Sequence, residues 1–204
     1  MSVYDLKPRF QALLRPLANA LARLGVTANA VTITSMLGSL AVGVACIYAW
    51  ADPLLLLLWP AWLFVRMALN AIDGMLAREH GMNTSLGGIL NEVGDVVSDT
   101  ALYLPIAAFT EGALWPTVLF TLGAALTEFC GVLGRALGAT RRYDGPMGKS
   151  DRALLVGALA SATYVFPNLY RAWPGFLWAA AALTLVTSVR RCRAALKELA
   201  AGPR

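Results

Sequence analysis

The chain has 204 residues, of which 58% are hydrophobic and only 14% charged, and its formal net charge is +5. Soluble globular chains are usually about 45–50% apolar and about 25% charged, so this composition excludes an ordinary soluble enzyme and predicts a polytopic membrane protein. The basic residues sit at the ends of apolar segments and not on one polar face, which argues against a nucleic-acid partner and for anionic lipid headgroups and phosphorylated substrates.

Residues 6–25 come first. Phe10, Leu14, Leu17, Leu21 and Leu24 recur there at helical spacing among Lys7, Arg9, Arg15 and Arg23. The pattern predicts an amphipathic interfacial helix, bent at Pro16 and ended by Gly25. No small-residue cleavage pattern follows the first apolar run, so no cleaved signal peptide is expected. Six spans are then predicted, at 30–50, 54–73, 87–110, 114–137, 152–168 and 174–190, each approaching the ~20 residues that cross hydrocarbon. The third carries Asn91, Glu92, Asp95 and Asp99, and spans only if these face a protein-lined or wet interior.

The expected organisation is a juxtamembrane helix over 1–28, a six-helix membrane domain over 29–191 and a cytoplasmic tail over 192–204. The fold class is an all-α integral membrane bundle with six transmembrane helices and an N-terminal amphipathic interfacial helix. Arg78, Arg141, Arg142, Lys149, Arg152, Arg190, Arg191 and the N-terminal cations fall on one side, and Arg171 almost alone on the other. Positive-inside placement then puts both termini in the cytoplasm, with the protein in the cell's inner (plasma) membrane. Cys46, Cys130 and Cys192 have neither metal-ligand nor disulfide spacing and are expected to be packing residues.

Charged groups beside long apolar runs are expensive and usually functional. Arg66, Asn70 and Asp73 lie at i, i+4, i+7 and share one face of the second span. Asn91, Asp95 and Asp99 share a face of the third, with Asp99 about 6 Å deeper than Asp95 at a rise of about 1.5 Å per residue. Carboxylate, amide and water oxygens suit Mg²⁺ or Mn²⁺ better than zinc. Between Leu102 and Ala108 only Tyr103 is polar, which favours a one-sided cavity over a path across the membrane. Ion transport through the same acids is the alternative reading.

Asp73-Gly74, Ala77-Arg78, Gly87 and Asp95 follow one another at the spacing of a known signature. The chain resembles the CDP-alcohol phosphotransferases (CDP-alcohol phosphatidyltransferases). Asn70 and Asn91 stand where that family carries two further aspartates. Gly25 to Thr32 resembles the family's entry to the first span, with Ala28 where proline is common. Thr84-Ser85-Leu86-Gly87 resembles its approach to the third span. Gly148-Lys149 resembles a pair that opens the fifth span in phosphatidylglycerophosphate synthase-like members. The resemblance covers roughly residues 25–155.

The resemblance implies transfer of a phosphatidyl group from a CDP-alcohol donor lipid, foremost CDP-diacylglycerol, to a small or lipid alcohol acceptor. CMP leaves, and the setting is phospholipid biosynthesis. It implies metal binding at Asn70, Asp73, Asn91 and Asp95, a catalytic role for Asp73, and the base role for Asp95. Asp99 is a further metal candidate that restores charge, and a second register makes Asp95 and Asp99 the final pair. Thr32, Gly74, Ala77, Arg78, Ser85 and Gly87 are the implied CDP-binding positions. Arg66, Arg135, Arg141, Arg142, Lys149 and Arg152 are candidates for the acceptor or its phosphate, and the basic loop tilts the acceptor toward a phosphorylated or lipid-like one. A homodimer is implied. A catalytically degenerate relative is the remaining alternative. Glu128 is expected to make an interhelical polar contact.

Overall fold

The computed structural model describes residues 3–201. The fold is all-α, with seven helices in chain order: α1 (Val3–Arg23), α2 (Ala28–Cys46), α3 (Leu58–Glu79), α4 (Ser85–Tyr103), α5 (Leu114–Ala136), α6 (Lys149–Val165) and α7 (Trp173–Ala200). Short 3₁₀ turns at Pro53–Leu57, Leu104–Ala108 and Pro167–Ala172 connect or extend them. Four segments are long and apolar enough to cross a membrane: Ala28–Cys46, Pro53–Glu79, Leu114–Ala136 and Pro167–Ala200. The other two long helices of the bundle do not meet that measure, because α4 carries Glu92, Asp95 and Asp99 and α6 has only 17 residues.

Local chemistry sets the ends. Thr27 caps α2, its hydroxyl accepting from Ala30 N at 3.2 Å, and Thr84 caps α4, accepting from Gly87 N at 2.9 Å; each satisfies an N–H that the helix itself leaves free. Helix α4 stops at Tyr103, short of the expected 110. Pro105 has no N–H to donate to Ala101 O, so the helical ladder breaks there. Leu102 O, also released, accepts instead from Trp59 Nε1 at 2.7 Å. At the other extreme, α7 runs to Ala200, through residues expected to be tail.

Packing follows from small residues. Helix α2 lies between α3 and α4, α5 joins α4 to α7, α6 leans on α3, and α1 rests on α3. A side chain at Gly43 would collide with the Ala101 carbonyl, one at Gly38 with the Trp62 ring, and one at Gly123 with Thr184. These are the close approaches that small residues permit between membrane helices. One end of the bundle is apolar and aromatic: Phe109 packs edge-on against Trp59, Tyr170 and Trp173 with ring centroids 5.1, 5.9 and 5.4 Å away. Near the opposite end, Ala18 of α1 shares a core cluster with Ala28, Val31, Ile72, Met75 and Leu76. Arg15 and Glu79 pair at 3.0 Å, and His80 Nε2 lies 3.0 Å from Asn19 Oδ1, so α1 is pinned to the end of α3.

Candidate active site

The polar residues of six helices, α2 to α7, meet at the end of the bundle opposite the aromatic cluster. Asp73 near the end of α3 is buried, and its Oδ2 accepts from the Thr32 hydroxyl of α2 at 2.9 Å. Asp95 of α4 receives two cations on Oδ1: the Lys149 ammonium from the first residue of α6, and Arg66 at 3.3 Å. Arg66 also donates to the Asp95 carbonyl at 3.2 Å and to Asp99 Oδ1 at 2.6 Å. The other oxygen of Asp99 accepts from Arg152 at 2.8 and 3.2 Å. Both Asp99 oxygens are therefore held by guanidinium groups, and Arg152 itself is 0% exposed.

The network continues through Glu128 on α5. Its Oε1 accepts from Arg152 at 3.0 Å, while Arg141 and Arg191 approach Oε2 at 3.5 and 3.6 Å. Arg141 makes a second ion pair with Glu92 of α4. Arg152 completes its bonds with Thr127 Oγ1 at 2.9 Å and Met147 O at 3.1 Å. Four carboxylates, Asp95, Asp99, Glu92 and Glu128, thus meet five cations, Arg66, Arg141, Lys149, Arg152 and Arg191. Buried charge persists only when paired and hydrogen-bonded in this way.

The sequence candidates divide into three groups. Asp73, Asp95, Asp99, Arg66, Lys149, Arg152 and Thr32 are brought together. Asn70 and Asn91 are partly buried, each one helical turn before Asp73 and Asp95 respectively. Gly74 and Arg78 lie at the exit of α3, where a Cβ on Gly74 would come within 3.0 Å of the Arg78 guanidinium. Ala77 is partly buried and packs on the cluster under α1. Gly87 approaches the start of α2, where a Cβ would come within 2.6 Å of Asn29 Oδ1.

The third group surrounds a cavity of about 880 Å³ between the start of α4 and the end of α5, lined among others by Ser85, Gly88, Glu92, Arg135 and Arg141. Arg142 turns away from it, to Asp144 at 2.9 Å and Glu198 at 3.0 Å. The Arg142 guanidinium holds the Asp144 carboxyl below its usual range. The loop carrying Arg141 and Arg142 is seated on α7: Gly145 has φ +117° and faces Thr187 where any Cβ would collide, and Met147 N donates to Thr187 Oγ1 at 3.1 Å. Glycine is the residue that reaches this conformation without strain.

Arg191 is the participant that the sequence reading placed only as a flanking charge. It is 2% exposed and donates to Thr127 O and, at 3.2 Å, to Asp144 O. Its signal was present: Thr184, Thr187, Ser188 and Arg191 form a polar stripe at helical spacing on an otherwise apolar helix.

The sequence model of the CDP-alcohol phosphatidyltransferase family matches residues 25–187. The chain is 46% identical over 197 residues to the inner membrane protein YnbA of Escherichia coli (strain K12), covering 96% of this chain and 97% of that one. It is 30% identical over 198 residues to the phosphatidylinositol phosphate synthase of Mycobacterium marinum, covering 90% and 77%. In fold it is similar to the crystal structure of Mycobacterium tuberculosis phosphatidylinositol phosphate synthase with CDP-DAG bound, with a TM-score of 0.74 at 22% identity over 93% of this chain and 96% of that one. The same synthase in complex with manganese and citrate also gives a TM-score of 0.74.

With this signature on this scaffold, the chain belongs to the CDP-alcohol phosphatidyltransferase family. It is a multi-pass membrane CDP-alcohol phosphotransferase of phospholipid biosynthesis. The family uses divalent metals. The donor set here is compatible with that use, on narrower terms. Among the described residues no three His, Cys, Asp or Glu side chains converge on a common metal position. Two carboxylates, Asp73 and Asp95, stand with the amides of Asn70 and Asn91 close by in sequence. A hard cation held by one or two carboxylates together with water and substrate phosphate oxygens matches such a set.

Proposed function

We propose that the chain transfers the phosphatidyl group of CDP-diacylglycerol to the hydroxyl of an acceptor alcohol. The new bond joins the acceptor oxygen to the phosphorus on the lipid side of the diphosphate. The bond from that phosphorus to the CMP oxygen breaks, and CMP leaves. The observation that carries this reading is the Asp95–Lys149 ion pair between α4 and α6, with Asp73, buried against Thr32, within reach of their charges at the end of the bundle where the family signature lies.

Asp95 accepts the hydroxyl proton. Arg66 and Lys149 fix the orientation of its carboxylate. Thr32 orients Asp73. Asp73 and Asp95, with the amide oxygens of Asn70 and Asn91, would hold a divalent cation, which would neutralise charge on the donor diphosphate. Thr32, Gly74, Ala77, Arg78, Ser85 and Gly87 form the seat of the cytidine nucleotide, where small residues leave space for its approach. Asp99, with both oxygens held by Arg66 and Arg152, acts here as the anchor of those two arginines and not as a ligand.

The same reading includes six spans, with α4 and α6 crossing beside the four apolar ones and turning exposed apolar residues such as Leu86, Ile89, Val93 and Leu154 outward. Both termini face the cytoplasm, α1 lies at the interface against anionic lipids, and two copies associate. Basic residues at the site end of the bundle support the orientation. In lipid nanodiscs with Mn²⁺ or Mg²⁺ and CDP-diacylglycerol, CMP release should depend on an added alcohol. Absence of both CDP binding and CMP release would overturn the reading.

A further inference from the structure

Helices α5 and α7 run side by side in one register. A Cβ on Gly123 would come within 2.8 Å of Thr184 Cβ, and one on Gly134 within 3.0 Å of Ala195 Cβ. Each pair is 61 positions apart, so the helices are parallel and their backbones stay close over about three turns. Gly131 continues the seam, since a Cβ there would lie 3.4 Å from an Arg191 guanidinium nitrogen. Arg191 itself reaches across to Thr127 O.

That register sets two cysteines against each other. Cys130 follows Gly123 by seven residues and so returns to the same line of α5. Cys192 follows Ser188 by four residues and Arg191 by one, which puts it at the edge of the α7 face. The two thiols interact directly across the seam, with the Ser188 hydroxyl beside them. Cys130 is 7% exposed, whereas Cys192 is half-buried and open to solvent on one side. The two lie 62 positions apart in the chain, and linear spacing therefore suggests packing residues only. Cys46 fits that expectation, its thiol facing Leu55 O at 4.0 Å.

A reachable thiol with an enclosed thiol next to it is the arrangement of a sulfur that is oxidised first and a sulfur that resolves it. A disulfide needs Cα atoms about 4.4–6.8 Å apart. Gly123, Gly131 and Gly134 supply the close backbone approach that this requires around Cys130.

We propose that Cys130 and Cys192 are a thiol modification site that a hydroperoxide closes into a disulfide, joining α5 to α7. The Cys192 sulfur attacks the O–O bond of the peroxide. A sulfenic acid forms on Cys192, and the peroxide leaves as an alcohol, or as water from hydrogen peroxide. The Cys130 sulfur then displaces the sulfenic hydroxyl. The S–S bond forms, and the hydroxyl departs as water with the Cys130 proton. Two electrons pass from the thiol pair to the peroxide, and a thiol reductant reverses the change. The bond crosses the seam next to Arg191 and two residues from Glu128, so the oxidised protein holds the α5–α7 side of the charge network in place. The site is independent of the transferase reading.

The test treats the full chain in nanodiscs with tert-butyl hydroperoxide, blocks the remaining thiols with N-ethylmaleimide under denaturing conditions, and maps them by mass spectrometry. A linked Cys130–Cys192 peptide pair should form while Cys46 is alkylated, and dithiothreitol should restore both thiols. The oxidised protein should melt at a higher temperature than the reduced protein, because a cross-link restricts the unfolded chain. In Cys130→Ser the reaction should halt at the Cys192 sulfenic acid, which dimedone traps. Full alkylation of both thiols after peroxide overturns the proposal. So does a disulfide between the Cys192 residues of two copies, or a sulfinic acid on Cys192 with Cys130 still alkylated. The mapping on the unaltered chain decides the matter even if Cys130→Ser does not fold.

Discussion

Lys149, the first residue of α6, places its ammonium on Asp95 Oδ1, the last residue of the signature on α4. A protein cation thus occupies the carboxylate that the family signature marks for metal and proton transfer. Two of the usual anionic positions are the neutral Asn70 and Asn91, so fewer negative charges remain for an external cation to offset.

Lys149→Met should therefore let Asp95 bind a divalent ion more tightly. The expected change is about a tenfold fall in the Mn²⁺ dissociation constant, equivalent to about 1.4 kcal/mol. The loss of the free Mn²⁺ electron paramagnetic resonance signal on titration reads it directly. An unchanged constant would mean that Lys149 does not compete for the metal's position.

Asp73→Asn and Asp95→Asn are nearly isosteric and remove one charge each. Loss of a positioned base costs about 10²–10⁴-fold in rate, so CMP release should fall by at least two orders of magnitude in the Asp95 variant. Size-exclusion profiles in detergent should stay unchanged. Full activity in both variants would show that the site has been placed on the wrong residues.

Asp99 and Arg152 form the most enclosed pair of the network. Removing one partner of a buried pair usually costs about 3–5 kcal/mol, because the other charge is stranded. Asp99→Asn and Arg152→Met should each lower the thermal midpoint markedly. The double variant should lose less than the sum of the two, as expected for groups in direct contact. Strict additivity would mean that the pair is not coupled.

Two glycines give a matched test of helix packing. Gly43 meets the Ala101 carbonyl, whereas nothing lies within 4 Å of a Cβ at Gly88. Gly43→Val should cost about 1–3 kcal/mol through overpacking against backbone. Gly88→Ala should be neutral, or stabilise by up to about 1 kcal/mol through helix propensity. Differential scanning fluorimetry on both variants compares them in one experiment.

Arg15→Ala at the α1–α3 clasp should leave the thermal midpoint essentially unchanged, since the pair is solvent-exposed. A clear drop in the thermal midpoint would assign α1 a structural role beyond that clasp.

Much of this was legible in the chain itself. Thr27, Gly25 and Thr84 mark helix boundaries by local chemistry, and the spacing from Asp73 to Asp95 identifies the signature without any tertiary information. What periodicity cannot supply is the partner of each charge. Arg152 and Asp99 are 53 positions apart, and Arg191 and Thr127 are 64 apart. Which arginine meets which acid follows only once α5, α6 and α7 are packed. The early end of α4 was readable in principle from Pro105, but the apolar residues beyond it continue the hydrophobic run and mask the break. The stripe on α7 was hidden because its three hydroxyl residues weigh little in a hydropathy average.

The charge network also bears on how the protein is made. Asp99 pairs with Arg66, which precedes it in the chain, and with Arg152, which follows it. As α4 leaves the ribosome, only the first of these partners exists. An aspartate at the centre of an isolated helix costs about 2.5–3.5 kcal/mol to insert, so on the proposed six-span reading α4 enters the bilayer best as a hairpin with α3. Its second arginine arrives only with α6, after α5 has brought Glu128. Until then the nascent bundle holds incompletely compensated charge, which makes the α4 to α6 stretch the step of biogenesis most exposed to quality control.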